Sequence, residues 1–477
     1  MTAIAETPAC PGTPTVGDLA PVLPVVGHDT PAPLVDGRRV PYANLDVAAS
    51  APALQDVADR ITQTLPLYAS VHRGAGYLSQ VSTTLYEQSR RVIGEFVGAR
   101  DDDVTLLVRN TTDALNLLAG CVPASDDGTP GRVLVLDVEH HANFLPWQRS
   151  ADATVVTGRD TVAETVAAIR DELAAGLAAG RGYALLAVTG ASNVTGETLP
   201  VADVVATAHA AGARVLLDGA QLVPHRRFSL AETGVDYLAF SGHKTYAPFG
   251  AGVLVGRRDW LDTGTPYLAG GGAVRSVRVE RTDWHDGPAR HEAGSPNVLG
   301  AVALAAACES LAALDADALR AHENALRARL VDGLESIAGV EVVRLWSDAP
   351  DTVGVVTFTV AGYEPGQVAA YLSAEHGIGV RDGRFCAHPL LSRLGYGAGA
   401  VRSSVGVGTA GEEVERLVAA VAALVADGPQ ARYDVVDGLW IVVDDPRPVP
   451  EGSGLAGLLA TAGPGGDEAF GCLPEDA

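Results

Sequence analysis

A metal-ligand pattern, a membrane-length apolar run and an excess of basic residues are all missing from this chain. Its five cysteines, at positions 10, 121, 308, 386 and 472, show no metal-ligand spacing and suggest no disulfide framework. No metal is expected, and the reducing cytoplasm is the simplest compartment. No apolar stretch reaches the ~18 uninterrupted residues of a membrane span. The Ala-rich run 298–314 carries polar breaks and reads as a packed helix. The start, Met-Thr-Ala-Ile-Ala-Glu-Thr-Pro, has no basic region leading into an apolar run, so no secretory signal is expected. Basic residues number 34 against 58 acidic ones, a formal net charge of -24. That balance disfavours a nucleic-acid partner, because phosphate binding needs a basic surface.

What is present is a globular chain of 477 residues, 47% apolar, long enough for two domains with sizeable cores. Apolar strands are expected at 103–108, 131–136, 183–188 and 214–217, and helices at 161–177 and 200–211. This alternation predicts an α/β fold with a mostly parallel, helix-covered sheet. The expected division is an irregular N-terminal extension over 1–40, a segment 41–65 contributing to the small domain, and a large domain over 66–310. A smaller α+β domain over 311–429 follows. The extension 430–477 ends in an acidic, Gly-rich tail from Glu451 that reads as mobile.

Several strand ends carry polar residues. Ser241-Gly242-His243-Lys244 lies on a turn between two expected strands, and Lys244 has no acidic neighbour in sequence. That suits an amine held in a cleft to form a Schiff base, although a surface turn can also carry His and Lys. Asp218-Gly219-Ala220-Gln221 ends the preceding strand, and Asp218 alone could be a helix cap. Asn110-Thr111-Thr112 opens a helix, where hydroxyls cap N–H groups and where phosphate also binds. His140 and His141 follow another strand, and Asn193 a third. Cys386 stands between Arg384 and His388 in sequence, cations that would stabilise a thiolate if they faced it. A small core cysteine is the plainer reading. Arg402 offers a planar fork for a carboxylate, or a structural salt bridge.

Asp218-Gly-Ala-Gln221 followed by Ser241-Gly-His-Lys244 resembles the site of the class V aminotransferase superfamily, pyridoxal-phosphate enzymes of fold type I. Within it the chain most resembles the SufS-like cysteine desulfurases and selenocysteine lyases, over about residues 42 to 419. The resemblance implies a large domain with a mostly parallel central sheet plus a smaller α+β domain. It implies that Lys244 bears pyridoxal 5'-phosphate and moves the α-proton, that Asp218 meets the pyridine nitrogen, and that Gln221 meets the phenolic oxygen. His140 would stack on the ring with His141 in support. Thr111 or Thr112, Ser241 and His243 would hold the phosphate. Ser295, in Glu292-Ala-Gly-Ser-Pro-Asn297, would reach the phosphate of a second subunit, which makes a homodimer the expected unit. Asn193, His72 and Arg402 would face the substrate, Arg402 through its carboxylate.

Cys386, in Gly383-Arg-Phe-Cys-Ala-His-Pro-Leu390, resembles the residue that accepts sulfur. The implied reaction converts L-cysteine to L-alanine and leaves an enzyme persulfide, discharged to an acceptor thiol or sulfur-acceptor protein. Departures stand at Gly76, where a second His is common, at Asn110 for a Gly, at Val47 in the run to Ser50, and at Arg384-Phe385 for a His pair. They keep open another reaction on an amino acid: epimerisation, C–S β-elimination or transamination. A binding or sulfur-relay scaffold without catalysis is a different class, against which the intact Asp218, Gln221, His243 and Lys244 set argues.

Overall fold

The structure is a computed structural model and describes residues 19–72, 74–125 and 128–448. The first part of the N-terminal extension, Arg73 and the acidic tail lie outside the described residues.

A seven-stranded sheet forms the centre. Its spatial order is Asp103–Val108, Gly252–Arg257, Tyr237–Ser241, Arg214–Asp218, Leu185–Thr189, Arg132–Leu136 and Asp152–Val156. Only Gly252–Arg257 runs against its two neighbours; the remaining pairs are parallel. The inner strands are largely apolar because both of their faces are covered. Leu134, Leu186, Val215, Leu217, Leu238 and Phe240 enter one buried cluster. The alternate residues Val133, Val135, Leu185, Leu216, Tyr237 and Ala239 enter another. A period of two buried on both sides gives the continuous apolar runs of the sequence.

The helix Val298–Ala312 has most of its residues buried and packs against Tyr77–Phe96 and Gln55–Thr64. Among the described residues no single helix is long and apolar enough to cross a membrane.

A second, antiparallel sheet has the order Val340–Val342, Val355–Val360, Ala400–Ser404 and Arg381–Gly383. Helices Ala316–Glu335, Pro365–His376 and Gly411–Asp427 pack on it around Phe358, Leu372, Leu417 and Leu424. The early chain joins this unit: Ala43–Asn44 pairs in parallel with Ile378–Gly379. The lead-in, read from sequence as irregular, includes a hairpin of Pro31–Pro33 and Arg39–Pro41. A long helix runs over Tyr77–Phe96. Gly76 supplies an extended N-cap there without a side-chain bond.

Beyond Asp427 the chain makes a hairpin, Tyr433–Val436 with Leu439–Val442, on helix Pro365–His376. Trp440 Nε1 donates to Glu364 Oε2 at 3.1 Å, and the buried Glu375 carboxylate accepts from the N–H groups of Gln430 and Ala431 and from the Tyr433 hydroxyl. The hairpin is thus fastened at both ends of that helix.

Candidate active site

Five loops leave the same edge of the central sheet, at the carboxyl ends of its strands, where α/β sheets place ligands. They carry Thr111, His140, Asn193, Asp218 and the 241–244 turn. With Ala48, Arg381, Phe385, Cys386 and Arg402 they line a cavity of about 330 Å³. Of the residues singled out in the sequence, Thr111, Thr112, His140, Asn193, Asp218, Gln221, Ser241, His243, Lys244, Cys386 and Arg402 all line it.

Lys244 follows strand Tyr237–Ser241 directly, in a tight turn. It is the only lysine in the chain; the other cations are arginines. A guanidinium stays protonated, so Lys244 is the one side-chain amine able to act as a nucleophile or base. Burial drives its pKa down to about 8, against the opposing pull of Asp218.

Asp218 is 5% exposed, and its Oδ1 accepts the N–H of Ala220 at 3.0 Å. Burial raises its pKa, while that bond and Lys244 pull it back. Gln221 Nε2 gives one hydrogen to the carbonyl of Ala48 at 2.8 Å, which leaves its second hydrogen for a ligand.

His140 Nδ1 accepts the N–H of Ala142 at 3.0 Å, which puts the ring proton on Nε2. Burial first, then Lys244, brings its pKa down to about 3, so the ring is neutral. His141 is not a cavity residue: its ring meets His388 edge-on at 4.5 Å, and its backbone N–H donates to the Cys386 carbonyl at 2.8 Å. The loop is braced by Glu139, a buried acid that the sequence reading passed over. Its carboxylate accepts Asn143 Nδ2 at 2.7 Å and the Thr189 N–H at 3.0 Å, and burial raises its pKa well above the usual carboxyl range.

At the other end of the cavity, helix Thr111–Ala119 points its N-terminus inward. Asn110 caps it by accepting the Asp113 N–H at 2.9 Å. Thr111 and Ser241 join hydroxyl to hydroxyl at 2.6 Å, and the Thr111 N–H donates to Ser241 Oγ at 2.8 Å. Gly252 permits this approach, since a Cβ there would lie 2.4 Å from the Asn110 Cα. Hydroxyls at a helix N-terminus form an anion site.

Cys386 and Phe385 both adopt left-handed backbone, each with φ of 53°. Non-glycine residues take that region at a cost, and such residues collect at functional sites. Neither Arg384 nor His388 lines the cavity. The Cys386 thiol interacts electrostatically with Lys244 and Arg402. Arg402 is 4% exposed, and its Nη1 donates to the carbonyl of Asn193 at 2.9 Å.

Two expected residues lie apart from this cavity. His72 instead bonds Glu87 through Nε2 at 2.9 Å, with its ring edge against Tyr86. Ser295 lines a separate cavity of about 450 Å³ with Arg109, Tyr267 and Asn297. Arg381 and Asp46 belong to the site region but were not singled out. The sequence signal available was Arg381 standing five residues before Cys386.

The residues fit a phosphorylated pyridine aldehyde. A buried carboxylate with one backbone partner suits a protonated ring nitrogen, a low-pKa amine suits the aldehyde, and the hydroxyl-lined helix end suits the phosphate. Among the described residues no group of three or more His, Cys, Asp or Glu could hold a metal ion.

The comparisons with known proteins agree in family. A cysteine desulfurase of Dickeya dadantii is 37% identical over 389 residues, covering 80% of this chain and 91% of that protein. The apo structure of a cysteine desulfurase from Thermococcus onnurineus NA1 superposes with a TM-score of 0.73 at 31% identity, covering 80% of this chain and 94% of that one. The Escherichia coli cysteine desulfurase CsdA, solved with an S-sulfonic acid, gives 0.69 at 32% identity, with the same coverage of 80% and 94%. The profile of the class-V aminotransferases matches residues 43–417, and the chain belongs to that family.

Proposed function

We propose that the protein is a pyridoxal-phosphate-dependent cysteine desulfurase. The observation that carries this reading is a thiol, Cys386, and the chain's only lysine, Lys244, lining one cavity. The naming of its relatives as cysteine desulfurases supports it.

Lys244 would bear the cofactor, Asp218 would pair with its ring nitrogen, Gln221 would meet its phenolic oxygen and the neutral His140 would cover its face. Thr111, Thr112, Ser241 and His243 would take the phosphate. When bound, the cofactor supplies an electron sink for the pair left on the substrate α-carbon. Arg402 orients the substrate by its carboxylate, with Asn193 beside it. Lys244 Nζ, at a pKa of about 8, takes the α-proton and returns a proton to the product. Cys386 Sγ, as thiolate, attacks the substrate sulfur. The C–S bond breaks, an S–S bond forms, and L-cysteine leaves as L-alanine. The persulfide then passes its outer sulfur to an acceptor thiol, and a reducing, cytoplasmic setting suits that cycle.

A homodimer belongs to the same proposal. Ser295 sits away from its own chain's cavity and would serve the partner's. The division into a large domain over 66–310 and a small one over 311–429 is likewise proposed, with 41–65 joining the small unit.

The test is product analysis with L-cysteine. Alanine and protein persulfide in equal amounts, both lost in Cys386→Ala, support desulfuration. Pyruvate, or a change at the α-carbon unaffected by Cys386→Ala, turns the reading to the lyase or epimerase motivated by Arg384-Phe385. Borohydride reduction of the loaded protein should leave a pyridoxyl group on Lys244 and on no other side chain.

A further inference from the structure

The cavity wall holds two guanidinium groups tied to one carboxylate. Asp46 Oδ2 accepts Arg381 Nη2 at 2.9 Å, and Oδ1 accepts Arg402 Nη2 at 3.3 Å. The three are placed by backbone. Arg381 and Arg402 are facing residues of antiparallel strands, so both side chains share one face of the sheet. Asp46 arrives from the early chain, which the Ser404 N–H fixes by donating to the Leu45 carbonyl at 2.7 Å. The Leu45 N–H in turn donates to Gly379 at 2.9 Å.

The two ion pairs are unequal. The Arg381 side chain is 51% exposed, so water completes its contacts. Arg402 is buried, its bond to Asp46 is the longer one, and its Nε has no partner. A buried guanidinium gains most from two parallel bonds to one carboxylate. Arg402 lacks that arrangement, yet it faces the cavity beside Lys244 and Asn193.

We propose that Asp46 is an internal stand-in for the substrate's carboxylate. It occupies Arg402 until an amino acid arrives, then withdraws onto Arg381, so that two arginines and two carboxylates pair one to one. Asp46 is a positioning residue, acting on substrate through Arg402. The inference rests on the reading of Arg402 as the carboxylate clamp. It also restricts the substrate class to amino acids with one acid group and an uncharged side chain. A second acid would have to take Arg381 too, leaving Asp46 with no counter-ion, an arrangement that costs dearly when partly buried.

The stand-in gives opposite signs to two substitutions. Asp46→Asn removes the competitor, so the KM for L-cysteine and the inhibition constant of L-alanine should each fall several-fold. L-Aspartate, now offered both arginines, should inhibit about tenfold more strongly. Arg381→Gln leaves Asp46 only Arg402 to hold, so KM should rise, and the double variant should return towards wild type. Calorimetric titration of propionate into cofactor-free protein should show the same order of affinities without any turnover. A merely structural Asp46 would raise KM on substitution and add to Arg381→Gln, and that result overturns the proposal. If Asp46→Asn does not fold, a KM unchanged or lowered by Arg381→Gln overturns it instead. Arg402→Lys separates the two levels. With KM unchanged there, the clamp reading fails. With KM raised there but not lowered in Asp46→Asn, only the stand-in fails.

Discussion

Asn193 Nδ2 donates to the backbone carbonyl of Phe385 at 2.7 Å, across 192 residues of sequence. One amide thereby links the central sheet to the bend that presents Cys386. Asn193→Ala should cost about 1 kcal/mol of stability, the usual worth of one such bond. It should also slow persulfide formation while leaving the visible absorption of the bound cofactor in place. Single-turnover persulfide yield measured beside the absorption spectrum checks both parts.

Lys244 gives the cofactor-free protein a defined pH dependence. Its folded pKa of about 8 lies below the ordinary 10.5, so between those values the unfolded chain binds more protons. Stability contributed by this group therefore rises with pH across that window. Urea denaturation midpoints of wild type and Lys244→Met should diverge there, with the slope absent in the variant.

His140 acts in the acid range by the same logic. Its pKa of about 3 in the fold stands against 6.5 ordinarily. As pH falls from about 6.5 towards about 3, the unfolded state takes up the proton first and the fold loses stability. His140→Phe should show a shallower acid limb in thermal melts.

Glu323 ties the segment beyond Gln221 to helix Ala316–Glu335. Its carboxylate takes His225 Nδ1 and Arg226 Nη1, both at 2.8 Å, with all three side chains buried. Glu323→Ala leaves Arg226 with a weakened set of partners in a dry site and should cost ~3–5 kcal/mol. Calorimetric melting of the variant checks this, and pyridoxal phosphate should dissociate faster as the Asp218–Gln221 loop loosens.

How much of this was legible in the sequence depended on range. Asp218, Gln221, His243 and Lys244 were readable because each sits within a few residues of an apolar strand, and a strand end is a local signal. Glu139 and Asp46 were not, since their importance lies in partners that folding brings to them. Asp46 meets Arg402 across 356 residues, through the register of the second sheet. Arg384 and His388 flank Cys386 in sequence, yet neither lines the cavity. His72 was marked by its neighbours in sequence and lies against Glu87 and Tyr86.

The lone lysine makes the protein unusually simple to address chemically. With 34 basic residues and a single ε-amine, an amine-directed reagent has two nitrogens to choose from, Lys244 and the chain's α-amino group. The α-amine lies on a separate proteolytic fragment, so the two labels can be told apart by mass. A label placed on Lys244 of the cofactor-free protein would report from inside the cavity of a chain without any substitution.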